Sequence, residues 1–252
     1  MSAVVVAALR LETRALLAAL TRTRRIRPAA RPTWIGETGG REIVVIESGV
    51  GPVAARRALA ALPADVALLA SFGVAGALDP ALAPGDIVVP SVVVWEEAGT
   101  TGRYEVAAPL VDGVARALVS VLGRPPRTGT LFSASDVLAG VAAKRAAYER
   151  HAATAVEMEA AALARHASAH AIPFFALRVV LDPAALSLEA LPPNLDTSWA
   201  SRARLATMPW VWPLLATLRR HAVTAETVLT QAARAALPAL AAASDSALDG
   251  DT

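Results

Sequence analysis

Short apolar runs alternate with longer stretches of helical spacing along most of this chain. Residues 3–9, 65–71, 87–95 and 174–181 are apolar at nearly every position, which predicts strands covered on both faces. Residues 34–35 and 42–46 carry a hairpin signal around Gly39-Gly40, 128–133 reads as extended, and 96–105 as an exposed loop or hairpin. Helices are expected at 12–20, after Pro52, at 109–122, at 141–151 and at 159–171, where Pro173 stops the last one. The recurring order is strand, small or acidic junction, helix. It predicts an α/β fold: a single-domain three-layer α/β/α architecture with a twisted, mostly parallel central sheet flanked by helices. The domain is expected over 1–243, including a helical C-terminal extension at 197–243, with a disordered tail at 244–252.

The stretch 154–182 organises the rest. It reads as strand, helix and strand, with Glu159 opening the helix and Asp182 closing the second strand before Pro183. Ligands of open α/β sheets bind outside the carboxyl ends of the strands, so both acids stand where chemistry is done. The plainer reading is that Glu159 favours a helix N-terminus and Asp182 caps a turn. Other junctions point to the same rim. Glu12 opens the first helix, Ser48-Gly49-Val50-Gly51 precedes Pro52, and Gly73 to Gly76 follow a strand. Amides at such a strand-to-helix turn suit an anion or polar oxygen. Beyond Asp182, Leu191-Pro192-Pro193-Asn194 reads as a rigid loop. Trp210-Val211-Trp212 has three readings: a packed helix, a subunit contact, or an apolar wall for a greasy ligand.

Composition removes several function classes. Hydrophobic residues reach 55%, a figure inflated by alanine, yet no apolar run is long enough to span a bilayer. The first residues are too short and lack the basic start of a signal peptide, so a cytoplasmic protein is expected. Without cysteine there is no disulfide framework, thiolate metal site or cysteine nucleophile. A formal charge of +2 does not imply nucleic acid, and the cluster Arg22, Arg24, Arg25, Arg27 and Arg31 reads as a solvated face or loop. Lys144 is the only lysine, which reads as genome composition rather than function. His166 and His170 share a helix face without a third ligand, so no metal is expected. Nucleotide-binding glycine motifs and the Gly-x-Ser-x-Gly elbow are absent.

Val156-Glu157-Met158-Glu159-Ala160, followed by an acid that closes the Arg178-Val179-Val180 strand, resembles the nucleoside phosphorylase and nucleosidase superfamily. The resemblance runs from about Val4 to Pro183. Within it the chain is similar to the 5′-methylthioadenosine/S-adenosylhomocysteine nucleosidases. The resemblance implies cleavage of a nucleoside between base and C1′ through an oxocarbenium-like transition state. Asp182 and Glu12 would be catalytic, the first as the protonated acid facing purine N7 and the second holding the nucleophile. Glu159 would grip the ribose hydroxyls as a carboxylate with Met158 beneath the sugar. Glu157, Val50, Ala75, Gly76, Leu138 and Arg178 would also bind substrate. Ser48, Gly49, Gly51 and Val74 would bind water or phosphate. No cofactor is implied. The partner is a small nucleoside rather than nucleic acid, with a homodimer favoured and peripheral membrane contact through Trp210 and Trp212.

Departures from the family pattern shape the substrate. Val74 and Leu181 stand where the nucleosidases carry serines, and Leu138 where an aromatic stacks on adenine. With Ser71-Phe72-Gly73, the Leu-Pro-Pro segment and the apolar C-terminal part, the chain resembles hopanoid-associated members, which act on adenosylhopane. The phosphate motif of hexameric purine phosphorylases is missing, and an ionised Glu12 would repel phosphate, favouring water as nucleophile. Arg56 and Arg57 could offset that repulsion. The alternatives are a methylthioadenosine/S-adenosylhomocysteine nucleosidase, a futalosine hydrolase, or a non-catalytic nucleoside- or lipid-binding protein on the same fold.

Overall fold

The computed structural model describes residues 2–27, 29–192 and 207–246. Eleven strands form one mixed sheet: β1 (Ser2–Ala7), β2 (Thr21–Ile26), β3 (Thr33–Thr38), β4 (Arg41–Glu47), β5 (Val66–Ala77), β6 (Ile87–Val88), β7 (Val92–Glu97), β8 (Thr100–Glu105), β9 (Thr130–Ser133), β10 (Ala153–Glu157) and β11 (Phe174–Asp182). The helices are α1 (Arg10–Ala19), α2 (Pro52–Leu59), α3 (Ala108–Leu122), α4 (Val141–His151), α5 (Ala160–Ala169) and α6 (Trp212–Ser246). The pairings β4–β1, β1–β5, β5–β11, β10–β9 and β9–β7 are parallel. Antiparallel hairpins edge the sheet at β2–β3–β4 and β7–β8. The expected three-layer α/β/α architecture is thus present.

Strand β5 is twelve residues long and runs through the glycines that were expected to form a junction after residue 71. Along one edge it pairs with β11 from Leu69 to Gly76. Its opposite edge is shared: β1 pairs with Val66 to Ser71, and β10 with Gly76 and Ala77. Between those two partners the edge is open at Val74. The site forms in that opening.

Two apolar layers enclose the sheet. On one face Leu16, Phe72, Val114, Leu118 and Phe175 meet a stripe from α6: Ala225, Leu229, Ala232, Ala233, Ala236, Leu237 and Leu240. This spacing repeats every three to four residues, as a helix with one buried face requires. Each leucine of the stripe contributes roughly 2 kcal/mol by burial. On the other face Leu69, Phe174, Ala176 and Val180 pack with Leu163 and Ala164 of α5. Among the described residues of the C-terminal part, a 3-10 turn at Pro209–Val211 leads into one long helix, α6, which covers the core and is tied to α1 by an Arg14–Glu226 ion pair at 2.9 Å.

Four further expectations change. The strand at 87–95 is split into β6 and β7 because Pro90 has no N–H to give a ladder; Val89 and Ser91 instead donate to the carbonyls of Arg127 and Gly129. The arginine-rich segment from residue 21 is strand β2, whose side chains are exposed, so it shows no apolar alternation. Charged edges of this kind resist pairing with other chains. Residues 244–246 are the end of α6 and not part of a tail; 247–252, Pro193, Asn194 and 197–206 lie outside the described residues. Trp210 and Trp212 are more than half exposed while Val211 between them is buried, so neither tryptophan is a core residue. Among the described residues no helix is long and apolar enough to cross a membrane.

Candidate active site

Glu12 sits in the first turn of α1 and is buried. Its Oε2 accepts the N–H groups of Ala8 and Leu9 at 2.7 and 2.8 Å, and Oε1 accepts that of Val74 at 2.8 Å. Val74 is the β5 residue left unpaired between β1 and β10, so the open edge itself supplies a donor. Gly73 makes room, since a Cβ there would lie 2.5 Å from Oε1. Burial pushes the Glu12 carboxyl up, against the three amides and the Arg178 charge.

The Val-Glu-Met-Glu run separates two acids by role. Glu157 accepts N–H groups from Glu159 and Ala160 at the start of α5, and Arg178 at 2.5 Å. Its carboxylate anchors the helix N-terminus and Arg178, and it also borders the cleft described below. Glu159 is the N-cap of α5, and its Oε1 accepts the Gly51 N–H at 2.6 Å. Burial and the neighbouring Glu157 push Glu159 up to about 8, against Gly51 and Arg178.

Asp182 ends β11. The β11–β5 register slips between Val180 and Asp182, leaving Leu181 as an extra residue. Without that bulge Asp182 would share the core face of Val180; with it, the carboxyl turns toward the open edge. Gly76 beneath it would place a Cβ 3.1 Å from Oδ2. The sequence reading missed the partner: Lys144 of α4, 1% exposed, places Nζ 2.5 Å from Asp182 Oδ2. The expected ionisation of Glu159 is altered, because burial and Glu157 hold its proton up to about 8, while the Asp182 carboxyl faces the Lys144 ammonium.

These groups border two adjoining spaces. A cleft of about 220 Å³ is lined by Glu12, Glu159 and Asp182 together with Val50, Val74, Ala75, Gly76, Leu138, Glu157 and Met158, and also by Lys144, Leu181 and Leu188. Behind it a cavity of about 10 Å³ is enclosed by Glu12, Ser48, Ser71, Val74, Glu159 and Arg178. Arg178 is corrected to this rear position: its guanidinium binds Glu157 and the carbonyl and hydroxyl of Ser71. Of the Ser48–Gly51 turn, Ser48 borders the rear cavity and Val50 the cleft. The Ser48 N–H donates to Ala7 and that of Gly51 to Glu159, so these amides are already engaged; Gly49 borders neither space. Gly49 and Gly51 have φ of +85° and +92°, the left-handed region that favours glycine. A larger open depression of about 630 Å³ lies on the far side of Met158 and is lined by Arg56; Arg56 and Arg57 are exposed and do not reach the rear cavity. No cluster of metal-ligating side chains occurs among the described residues.

A family model described as the phosphorylase superfamily matches residues 2–206. The 5′-methylthioadenosine/S-adenosylhomocysteine nucleosidase of Actinobacillus succinogenes is 29% identical over 166 residues, 58% of this chain and 70% of that protein. The nucleosidase of the same name from Baumannia cicadellinicola is 28% identical over 180 residues, 65% of this chain and 79% of that one. The structure is similar to the S-adenosylhomocysteine nucleosidase of Streptococcus pyogenes in complex with 5-methylthiotubericidin, with a TM-score of 0.70 at 22% identity over 93% of this chain and 96% of that one. It is also similar to a Neisseria meningitidis nucleosidase in complex with methylthio-immucillin-A, with a TM-score of 0.68 at 21% identity, 92% and 98% of the two chains being covered.

Proposed function

The chain belongs to the phosphorylase superfamily, and we propose that it cleaves the N-glycosidic bond of a 5′-substituted adenosine, releasing adenine. One observation carries this reading. Glu12, Glu159 and Asp182, far apart along the chain, border the same 220 Å³ cleft.

Each acid suits one part of the reaction. As the C1′–N9 bond lengthens, electrons move onto the purine, and Asp182, entering as the carboxylic acid, gives its proton to N7, so that adenine leaves neutral and the carboxylate is left facing Lys144. Positive charge grows on the sugar, and Glu159, once ionised, stabilises it from below. Glu12 takes a proton from the attacking oxygen as the new bond to C1′ forms. A carboxyl raised by burial is a better proton acceptor near neutral pH.

Water is the nucleophile in this reading. The rear cavity of about 10 Å³ beside Glu12 is the size of a single water. A phosphate dianion is several times larger and would meet Glu12 and Glu159 with one guanidinium, already bound to Glu157, to offset the repulsion.

The 5′ substituent is apolar in this reading, with adenosylhopane and hopanoid biosynthesis as the favoured assignment. Val74, Leu138, Leu181 and Leu188 line the cleft, and Val50 and Val137 are more than half exposed on its wall. A bulky apolar group too large for the cleft would lie over those two valines. Similarity to methylthioadenosine/S-adenosylhomocysteine nucleosidases favours a smaller thioether as the second reading, and futalosine is a third substrate to exclude. A homodimer, and membrane contact through the exposed Trp210 and Trp212, belong to the same proposal.

The test is free base released from adenosylhopane, methylthioadenosine, S-adenosylhomocysteine and futalosine in phosphate-free buffer. Full-rate release without phosphate is expected. A phosphate requirement would overturn hydrolysis. Binding of adenine with no cleavage of any of the four would replace the enzyme by a binding protein.

A further inference from the structure

The single lysine of the chain is buried against the proposed base-side acid, and nothing in the bond-cleavage chemistry above uses it. Its ammonium has three acceptors: Asp182 Oδ2 at 2.5 Å, the Leu186 carbonyl at 2.9 Å and the Pro183 carbonyl at 3.2 Å. An ammonium has three N–H donors, so this set leaves none for a substrate. Lys144 therefore acts on a ligand only through Asp182. Asp182 in turn gives Oδ2 to the lysine and keeps Oδ1 for the cleft.

The geometry also accounts for lysine in a chain that otherwise uses arginine. Three acceptors converge on one point at the end of a buried stem, which a compact ammonium satisfies. A planar guanidinium with five donors in a rigid fork would leave donors buried without partners. Buried ion pairs are a poor source of stability compared with apolar packing. Keeping one at this position points to a role in the site.

We propose that Lys144 is the positioning residue for Asp182. It fixes the carboxyl through one oxygen, so that the other meets the leaving base. It also joins the two segments that wall the base end of the cleft. Lys144 reaches from α4 to the loop after β11, beside a second link from the Leu188 N–H to the Ala139 carbonyl at 2.7 Å. The assignment rests on the proposed reading of Asp182 as the group that faces the purine.

The experiment is a double-mutant cycle of Lys144→Met and Asp182→Asn, read by kcat and KM for adenine release and by calorimetric binding of adenine. Lys144→Met is expected to lower kcat about 100-fold, the cost of misplacing a reacting group by about 1 Å, with KM little changed. Adding Lys144→Met to Asp182→Asn is expected to change neither the residual rate nor adenine affinity. Lys144→Arg is not expected to restore activity. Wild-type kcat in Lys144→Met, or effects of the two substitutions that multiply, would overturn the proposal while leaving the proposed function standing. Should Lys144→Met fail to fold, the double variant, which buries no unpaired charge, still decides. Adenine affinity below that of Asp182→Asn alone would assign Lys144 to the loop and sink the claim. A wild-type protein that binds adenine but cleaves nothing defeats the enzyme reading, and the adenine-binding arm still judges Lys144.

Discussion

The two ends of the cleft hold their acids in opposite ways. At the rear, Glu12 is gripped by three backbone N–H groups from the α1 turn and from β5, and it borders a closed polar cavity. At the base end, the partner of the Asp182 carboxyl among the described residues is a side chain, Lys144, set among Leu138, Leu181 and Leu188, and the wall opens to solvent at Val137. Short of proline, a point substitution leaves a backbone donor in place; an ammonium is lost with its side chain. The rear end is thus built to keep one chemistry, and the base end is where one or two substitutions can retune the site. Val74, Leu138 and Leu181 all fall on the cleft wall.

Removing either acid tests the comparison most severely. Asp182→Asn and Glu12→Gln should each lower kcat by about 10³-fold, within the range of a lost general acid or base. Adenine release followed at saturating substrate gives the number. A variant that keeps a tenth of wild-type turnover would remove that acid from the mechanism.

The rear acid can also be reached indirectly. Gly73 is in extended backbone, so alanine there is not strained in itself, but its Cβ would fall 2.5 Å from Glu12 Oε1. Gly73→Ala should displace the carboxylate and cost about 100-fold in kcat/KM. Gly76→Ala, whose Cβ would lie 3.1 Å from Asp182 Oδ2, should cost less because a side-chain-held acid can shift. Equal losses in the two would erase the distinction between the ends.

Titration is the third test. Glu159 lies at about 8 in the fold against an ordinary 4.5, raised first by burial and then by Glu157. Between those values the folded protein holds a proton that the unfolded chain has released. Stability from this group is therefore full below about pH 4.5 and is lost as pH rises to about 8, by at most about 1.4 kcal/mol per pH unit. Activity runs the other way, because an ionised Glu159 and an unprotonated Glu12 both favour cleavage, so kcat/KM should climb toward pH 8. Glu159→Gln should flatten the stability slope. A wild-type denaturation midpoint that rises from pH 5 to pH 8 would contradict the assignment.

Much of this was legible in the residues. Unbroken apolar runs gave the buried strands, and the junctions at Glu12, Glu159 and Asp182 do meet on one cleft. What could not be read depends on registers and distant contacts. The β11 bulge at Leu181, which aims Asp182, is a pairing offset with no local signature. Lys144 reads from the sequence as genome composition because its three acceptors come from residues about 40 positions away. Strand β2 was hidden because both its faces are exposed, so no alternation marks it. Arg178, read as a substrate ligand, turned out to serve Glu157 from behind.

The smallest expected effect concerns the apolar wall. Leu181 is the extra residue of the bulge, so its side chain has no fixed partner on β5 and lines the cleft next to Asp182. Leu181→Ser keeps the bulge and shortens the side chain. It should leave kcat for a small thioether nucleoside nearly unchanged, since neither acid moves. For a nucleoside with a bulky apolar 5′ group it should raise KM about tenfold, the usual worth of a few methylenes in an apolar site. Leu138→Phe, in the lining of the same cleft, should tighten binding of the base itself and act alike on both substrates. The ratio of kcat/KM for the two nucleosides is the quantity to follow. If Leu181→Ser changes both substrates by the same factor, the wall at that position contacts the base rather than the 5′ group, and substrate choice must be sought at Val50 and Val137 on the cleft mouth.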